Sequence, residues 1–241
     1  MIGPILGGVS RLKITNATAR IACEGNSLTI GDGVPFGSGQ DYVTVLQGLS
    51  AVNNQFTIRN DGSSGQTTAQ MITTAQGTFY DNIYTAGKAN IVILWEGTNS
   101  IGRAAPYGGL TGVQAAAEMQ TLVSTILSHH SDYIIIILTA LPQMNSTYGT
   151  GVVMQYLDDY NALVKANYKS WGAKAVCDVR QVGYPWAALN ATNYSTPAFE
   201  DVAGAGPYWK AGETTHLHLN NLGYAKIAEM VNATLLKLPR S

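Results

Sequence analysis

The chain is short of charge. Of its 241 residues only 12% are Asp, Glu, Lys or Arg, and the formal net charge is -1. Lys and Arg form no cluster, so nothing is present to neutralise a phosphate backbone, and nucleic acid is excluded as an electrostatic partner. No basic amphipathic stretch offers itself to a membrane surface. No apolar run approaches the roughly 20 residues that cross a bilayer. The longest, "YIIIILTAL" from Tyr133, suits a buried strand. Cysteine is scarce too: Cys23 and Cys177 both sit in apolar, strand-like contexts and read as buried free thiols, with no disulfide framework. The N-terminal "MIGPILGGVSRLKITN" has no basic residue ahead of its apolar part and no convincing cleavage site, so it does not read as a signal peptide. The expectation is synthesis in the cytoplasm, with later release or association with a virus particle left open.

What the chain does have is apolar residues, 46% of the total, enough for a large core without help from metals or disulfides. They fall in alternating patterns. "ARIACEGNS", "QFTIRNDGSSG", "NIVILWEGTNS", "YIIIILTALP" and "AKAVCDVRQV" read as five strands, several of them apolar throughout. Between them, "YVTVLQGLSAV", "TTAQMITTAQGTFYDNIY", "GVQAAAEMQTLVSTILSHH", "VVMQYLDDYNALVKANYKSWG" and finally "NNLGYAKIAEMVNATLLKL" have helical spacing. Gly77 weakens the second helix, and Asn220 or Asn221 caps the last. His129 and His130 read as solvated residues at a helix end. Continuously apolar strands alternating with amphipathic helices imply a parallel sheet covered on both faces. The expected fold class is α/β: a single-domain, three-layer α/β/α sandwich over residues 1–241, core about 20–238, with a central parallel sheet of about five strands. One long irregular segment, about 183–215, is expected to serve the active site. Its aromatic residues Tyr184, Trp186 and Trp209 are candidates for a sugar or acyl platform, or for lid packing.

In an open parallel sheet, ligands bind beyond the carboxyl ends of the strands. Those ends deliver "EGNSLTIG", "NDGSSGQT" and "WEGTNS", and a later loop delivers "ETTHLHLN". Together they offer a serine, a glycine N–H, an asparagine amide and a histidine. These are the parts of an acyl-transfer site: nucleophile, oxyanion donors and base.

These four blocks resemble those of the SGNH (GDSL-type) serine esterases and lipases. Gly-Asn-Ser-Leu-Thr, residues 25–29, is similar to the family's Gly-Asp-Ser-Leu-Thr, with Asn26 in place of the aspartate. "NDGSSGQT" resembles the second block, "GTN" at 97–99 the third and "HLNNLGY" at 218–224 the last. The resemblance runs from about residue 20 to 230, with the blocks in family order. It implies a flavodoxin-like SGNH hydrolase fold and Ser27 as nucleophile. It also implies an oxyanion hole of the Ser27 and Gly65 N–H groups with the Asn99 amide, a histidine base, and no metal or cofactor.

Two spacings disagree about the base. The family places an Asp three residues before its histidine, and "ETTH" sets Glu213 three before His216. The family's histidine also lies five residues before a glycine followed by an aromatic, and His218 stands so before Gly223-Tyr224. His218, just ahead of the final helix, is the favoured base and His216 the alternative. Position 215 is then Thr rather than an acid, leaving Glu213, Asp201 or a backbone carbonyl to orient the imidazole. A metal clip through His216 and His218 is disfavoured, because alternate residues of an extended segment point to opposite sides.

The function implied is hydrolysis of small carboxylic esters, short-chain or acetyl, on a small alcohol or an acylated carbohydrate. Two other readings stay open: a longer-chain lipase or thioesterase, and a non-catalytic carbohydrate-binding or structural module on a degenerate esterase scaffold. Oligomeric state is not legible.

Overall fold

The structure, a computed structural model, describes residues 19–49, 56–103, 108–144, 150–181, 186, 189, 208–212 and 216–238. Five strands, β1 (Ala19–Gly25), β2 (Phe56–Gly62), β3 (Asn90–Trp95), β4 (Ile134–Leu138) and β5 (Ala175–Cys177), form one sheet in the order β2-β1-β3-β4-β5. Every pairing is parallel. The described helices are α1 (Ser27–Ile30), α2 (Tyr42–Gln47), α3 (Thr68–Ala75), α4 (Phe79–Ile83), α5 (Thr98–Gly102), α6 (Gly112–His129), α7 (Thr150–Trp171) and α8 (Asn221–Leu236). Helices α2 and α8 pack together on one face, and α3, α6 and α7 pack in succession on the other. This is the α/β architecture expected.

The apolar runs become the central strands because both faces are covered: all residues of β3 and β4 are buried. Each fully buried Ile or Leu contributes about 1.5–3 kcal/mol of transfer free energy. Truncating Ile136, which has no exposed surface, to Ala would cost about 2–5 kcal/mol. Cys23 and Cys177 are free and buried, and burial pushes the Cys177 thiol up to about 12.

Two helices are shorter than their patterns suggested. The segment 67–84 divides into α3 and α4, and the Gly77 N–H makes a tight bond to Thr74 O at 3.1 Å where the turn breaks. Glycine's backbone entropy explains the break. Likewise α2 stops at Gln47 with Gly48 as its C-cap. The short helices α1 and α5 add to the sequence reading.

Register sets up the functional end of the sheet. Gly25 pairs with both Gly62 and Trp95. Strands β2, β1 and β3 therefore end level, and the segments that follow leave the sheet side by side. The chain runs from β1 outward to β2 and then back across to β3, so the switch point lies between β1 and β3.

Candidate active site

Ser27 is the first residue of α1, directly beyond β1. Asn26 is the N-cap, and its Oδ1 accepts from Leu28 N at 2.9 Å. An Asn in extended conformation followed by a helical turn accounts for the "GNSLT" signal. It holds Ser27 at the strand end, 4% exposed. The Ser27 carbonyl accepts from Gly31 N at 3.0 Å and Asp32 N at 2.9 Å, closing α1 after one turn.

The segment after β2 is fastened to this turn. Ser63 N donates to Gly25 O at 2.9 Å, and Ser64 Oγ donates to Asp32 Oδ2 at 2.6 Å. Gly65 has φ +75°, the left-handed conformation expected of it. The segment after β3 grips the same loop from the other side. Asn99 Nδ2 donates to Gln66 O at 3.0 Å, and the Arg103 guanidinium donates to Gly65 O. An amide nitrogen carries two hydrogens, so the bond to Gln66 fixes the Asn99 side chain while a second N–H remains to donate. Asn99 is 5% exposed. Ser27, Gly65 and Asn99 thus stand at the ends of three adjacent strands, joined through their loops.

His218 precedes α8 and is pinned from two directions. Its carbonyl accepts from Lys210 N at 3.0 Å, beside an antiparallel bridge between Trp209 and Leu219. Asn220 caps α8, accepting from Leu222 N at 2.9 Å and Gly223 N at 3.1 Å, as its sequence position suggested. The other fixture is Gly33, at φ +112°, where a Cβ would lie 3.1 Å from His218 Cβ and would clash with Leu219 O. Only a glycine lets the chain leaving α1 pack this closely on the histidine segment. Tyr224 Oη, donating to Asp32 O at 2.6 Å, ties α8 to the same turn. His216, 7% exposed, has φ 45° and lies with its ring edge-on to Trp209, centroids 6.1 Å apart.

Trp186 and Trp209 are 0% and 4% exposed and meet edge to face at 6.4 Å. Their indoles lie in the core under the histidine segment. Glu213, Asp201 and Tyr184 lie outside the described residues. His129 is not a solvated helix end. Its Nδ1 lies 3.0 Å from Asp81 Oδ2 and its Nε2 2.6 Å from Ala75 O. These partners raise its pKa, the Ala75 carbonyl first.

One residue of this region escaped the sequence reading. Glu96, between β3 and Gly97, has no exposed surface. Its carboxylate accepts from Asn99 N at 2.8 Å, Ser100 N at 3.2 Å, Thr68 Oγ1 at 2.8 Å and Ser100 Oγ at 3.0 Å, and from Gly97 N. The one sign in the sequence was a charged residue directly after five apolar ones, Ile91 to Trp95, in a charge-poor chain. Three residues before Ser27, Glu24 is also buried: desolvation, then the Asp61 charge, lifts its carboxyl to about 8.

Among the described residues no helix is long and apolar enough to cross a membrane, and no three His, Cys, Asp or Glu side chains converge as a metal site would require. No curated protein matches the chain significantly. Solved structures share its fold. A member of the lipolytic protein G-D-S-L family from Veillonella parvula superposes with a TM-score of 0.63 at 21% identity, covering 91% of this chain and 100% of that one. A carbohydrate acetylesterase from Sinorhizobium meliloti gives 0.61 at 14% identity, covering 89% and 97%. An acetylxylan esterase from Geobacillus stearothermophilus gives 0.60 at 16% identity, covering 93% and 96%. The model of the GDSL-like Lipase/Acylhydrolase family matches residues 23–226, from within β1 to within α8. With that match spanning most of the chain and every block in place at the carboxyl end of the sheet, the chain belongs to the GDSL-like lipase/acylhydrolase family, a family of ester hydrolases.

Proposed function

We infer that the protein hydrolyses short-chain carboxylic esters through an acyl-enzyme on Ser27. The observation that carries this is the convergence on one turn: the loop bearing Gly65 and the segment bearing His218 bond or pack against residues 25–33, and the segment bearing Asn99 joins them through Asn99 Nδ2 to Gln66 O and through Asn26 Nδ2 to the Glu96 carboxylate. Ser27 Oγ attacks the ester carbonyl carbon as His218 Nε2 takes its proton. The negative charge on the carbonyl oxygen is met by the N–H groups of Ser27 and Gly65 and the second N–H of Asn99. His218 then protonates the departing alcohol, leaving the acyl group on Ser27. Water, deprotonated by the same imidazole, releases the acid and restores the serine.

His218 is preferred over His216 because its Cβ packs on Gly33, six residues beyond Ser27, whereas His216 is buried against Trp209. Glu213 is the proposed partner of the imidazole, with Asp201 or a backbone carbonyl in its place if the loop directs otherwise. No step calls for a metal or cofactor. For the substrate, an acetyl ester on a carbohydrate is the reading favoured by two of the fold neighbours, whose names describe acetylesterases of carbohydrate and of xylan.

The test is hydrolysis of p-nitrophenyl acetate and of acetylated xylo-oligosaccharides by wild type and Ser27→Ala. Turnover that disappears in the variant supports the reading, and turnover that survives refutes it. Saturable glycan binding without any turnover would instead identify a non-catalytic module, and a preference for long-chain esters a lipase or thioesterase.

A further inference from the structure

The geometry points to Glu96 as the positioning residue of the site, the one carboxylate that sets the nucleophile and the oxyanion donors relative to one another. This rests on the esterase reading of Ser27, Gly65 and Asn99.

The carboxylate touches each segment that carries those residues. From the third block it accepts the N–H groups of Gly97, Asn99 and Ser100, and so fixes the backbone from which the Asn99 amide projects. From the segment after β2 it accepts the hydroxyl of Thr68, the first residue of α3, three positions beyond Gly65. Ser100 Oγ, itself bonded to Glu96, accepts from Thr68 N at 3.0 Å and doubles that link. From the first block it accepts Asn26 Nδ2 at 3.4 Å. Asn26 thus works on both sides, capping α1 with its oxygen and reaching Glu96 with its nitrogen.

The surroundings suit an anion held by donors alone. Among the described residues no cation pairs with Glu96; its neutralisation comes from N–H and O–H groups. Such charge-assisted bonds are the stronger kind, and a buried network of them fixes a single geometry. The other titratable groups facing it are Tyr160 of α7, whose hydroxyl donates to Glu96 O at 2.9 Å, and Glu118 of α6, whose carboxyl is held neutral to higher pH by burial and then by the Glu96 charge.

The arrangement also gives a reason for Asn26. In the family's motif this position is aspartate, but beside Glu96 an aspartate would bring two carboxylates within about 3.4 Å, where both cannot ionise freely. Asparagine keeps the cap and turns a repulsion into a hydrogen bond.

Two variants test the assignment, with turnover referred to the concentration of folded protein. Glu96→Gln replaces one acceptor oxygen by an NH2 group. Hydroxyls can rotate to accept from it; the N–H of Gly97, or those of Asn99 and Ser100, cannot. We expect kcat on p-nitrophenyl acetate to fall about 10- to 100-fold with KM changed less than about threefold, because positioning acts on the transition state. Asn26→Asp preserves the cap and is expected to give a new ionisation in the kcat–pH profile. It should approach wild-type kcat when the carboxyl pair shares a proton and lose activity as pH rises and that proton leaves. Glu96→Gln with wild-type kcat overturns the assignment. If Glu96→Gln does not fold, the Asn26→Asp profile decides alone, and one that parallels wild type overturns it. Ser27→Ala separates the two levels: if that variant is inactive while Glu96→Gln and Asn26→Asp behave as wild type, the esterase reading stands and only the role of Glu96 fails.

Discussion

Replacing Gly33 by alanine tests whether His218 is placed through its contact with the turn that follows Ser27. The added Cβ would fall about 1 Å short of ordinary van der Waals separation from Leu219 O, and it would stand 3.1 Å from His218 Cβ. Backbone cannot swing aside as a flexible side chain can, so the 218–219 segment must retreat by roughly that distance. Overpacking of this kind costs about 1–3 kcal/mol, and a non-glycine residue held at φ +112° adds about 1–3 kcal/mol. In a chain of this size each kcal/mol lowers Tm by about 2–4 °C, so a fall of at least about 4 °C is expected. Displacing a proton-transfer group by about 1 Å lowers turnover on the order of 10²-fold. Gly37→Ala is the control: φ is +73°, and a Cβ there meets nothing within 4 Å. It should lose about 1–2 kcal/mol of stability and leave kcat unchanged. The assays are p-nitrophenyl acetate turnover per folded molecule and calorimetric Tm. Wild-type kcat in Gly33→Ala would show that His218 is not the base, or that Gly33 does not seat it.

Other perturbations follow from the same geometry. Asn99→Ala should lower kcat about 10²–10³-fold with little change in KM, and steady-state kinetics would expose an error if KM alone moved. Cys23 and Cys177 are buried with thiol pKa values raised by desolvation, so neither should react with a thiol reagent until urea unfolds the chain. Prompt native-state labelling of either would contradict the packing of β1 or β5. Glu24, lifted to about 8, holds a proton in the folded protein that the unfolded chain releases near the ordinary carboxylate range. Its stabilisation is therefore fully present below the unfolded pKa and is lost as pH rises through about 8. Glu24→Gln should match wild type in Tm at pH 4 and exceed it at pH 9; an equal difference at both values would remove Glu24 as the cause.

Much of the fold was legible because the strands announce themselves. "NIVILW" and "YIIIIL" are too continuously apolar for anything but two-sided burial, and they became β3 and β4. The blocks at the strand ends were legible for a related reason: a Gly-Asn-Ser turn or a Gly-Thr-Asn turn is a local event that needs few residues to specify. Glu96 was not legible, since its partners are 70, 28, 4, 3 and 1 residues away and only the fold brings them together. The short helices α1 and α5 span one turn each, below the length at which periodicity can speak. His129 misled for a similar reason, its partners Asp81 and Ala75 lying 48 and 54 residues away. Trp186 and Trp209 could be read either way in a long loop; the structure packs both indoles inward, against each other.

The central claim, that Ser27 is a nucleophile activated at this site, is tested most directly by covalent labelling. Purified protein is treated with a fluorophosphonate and digested, and the adduct is located by mass spectrometry. The expected result is one adduct on the peptide containing Ser27, absent in Ser27→Ala and formed at least about 10²-fold more slowly in His218→Ala. Failure to label, an adduct on another serine, or an undiminished rate in His218→Ala would contradict it.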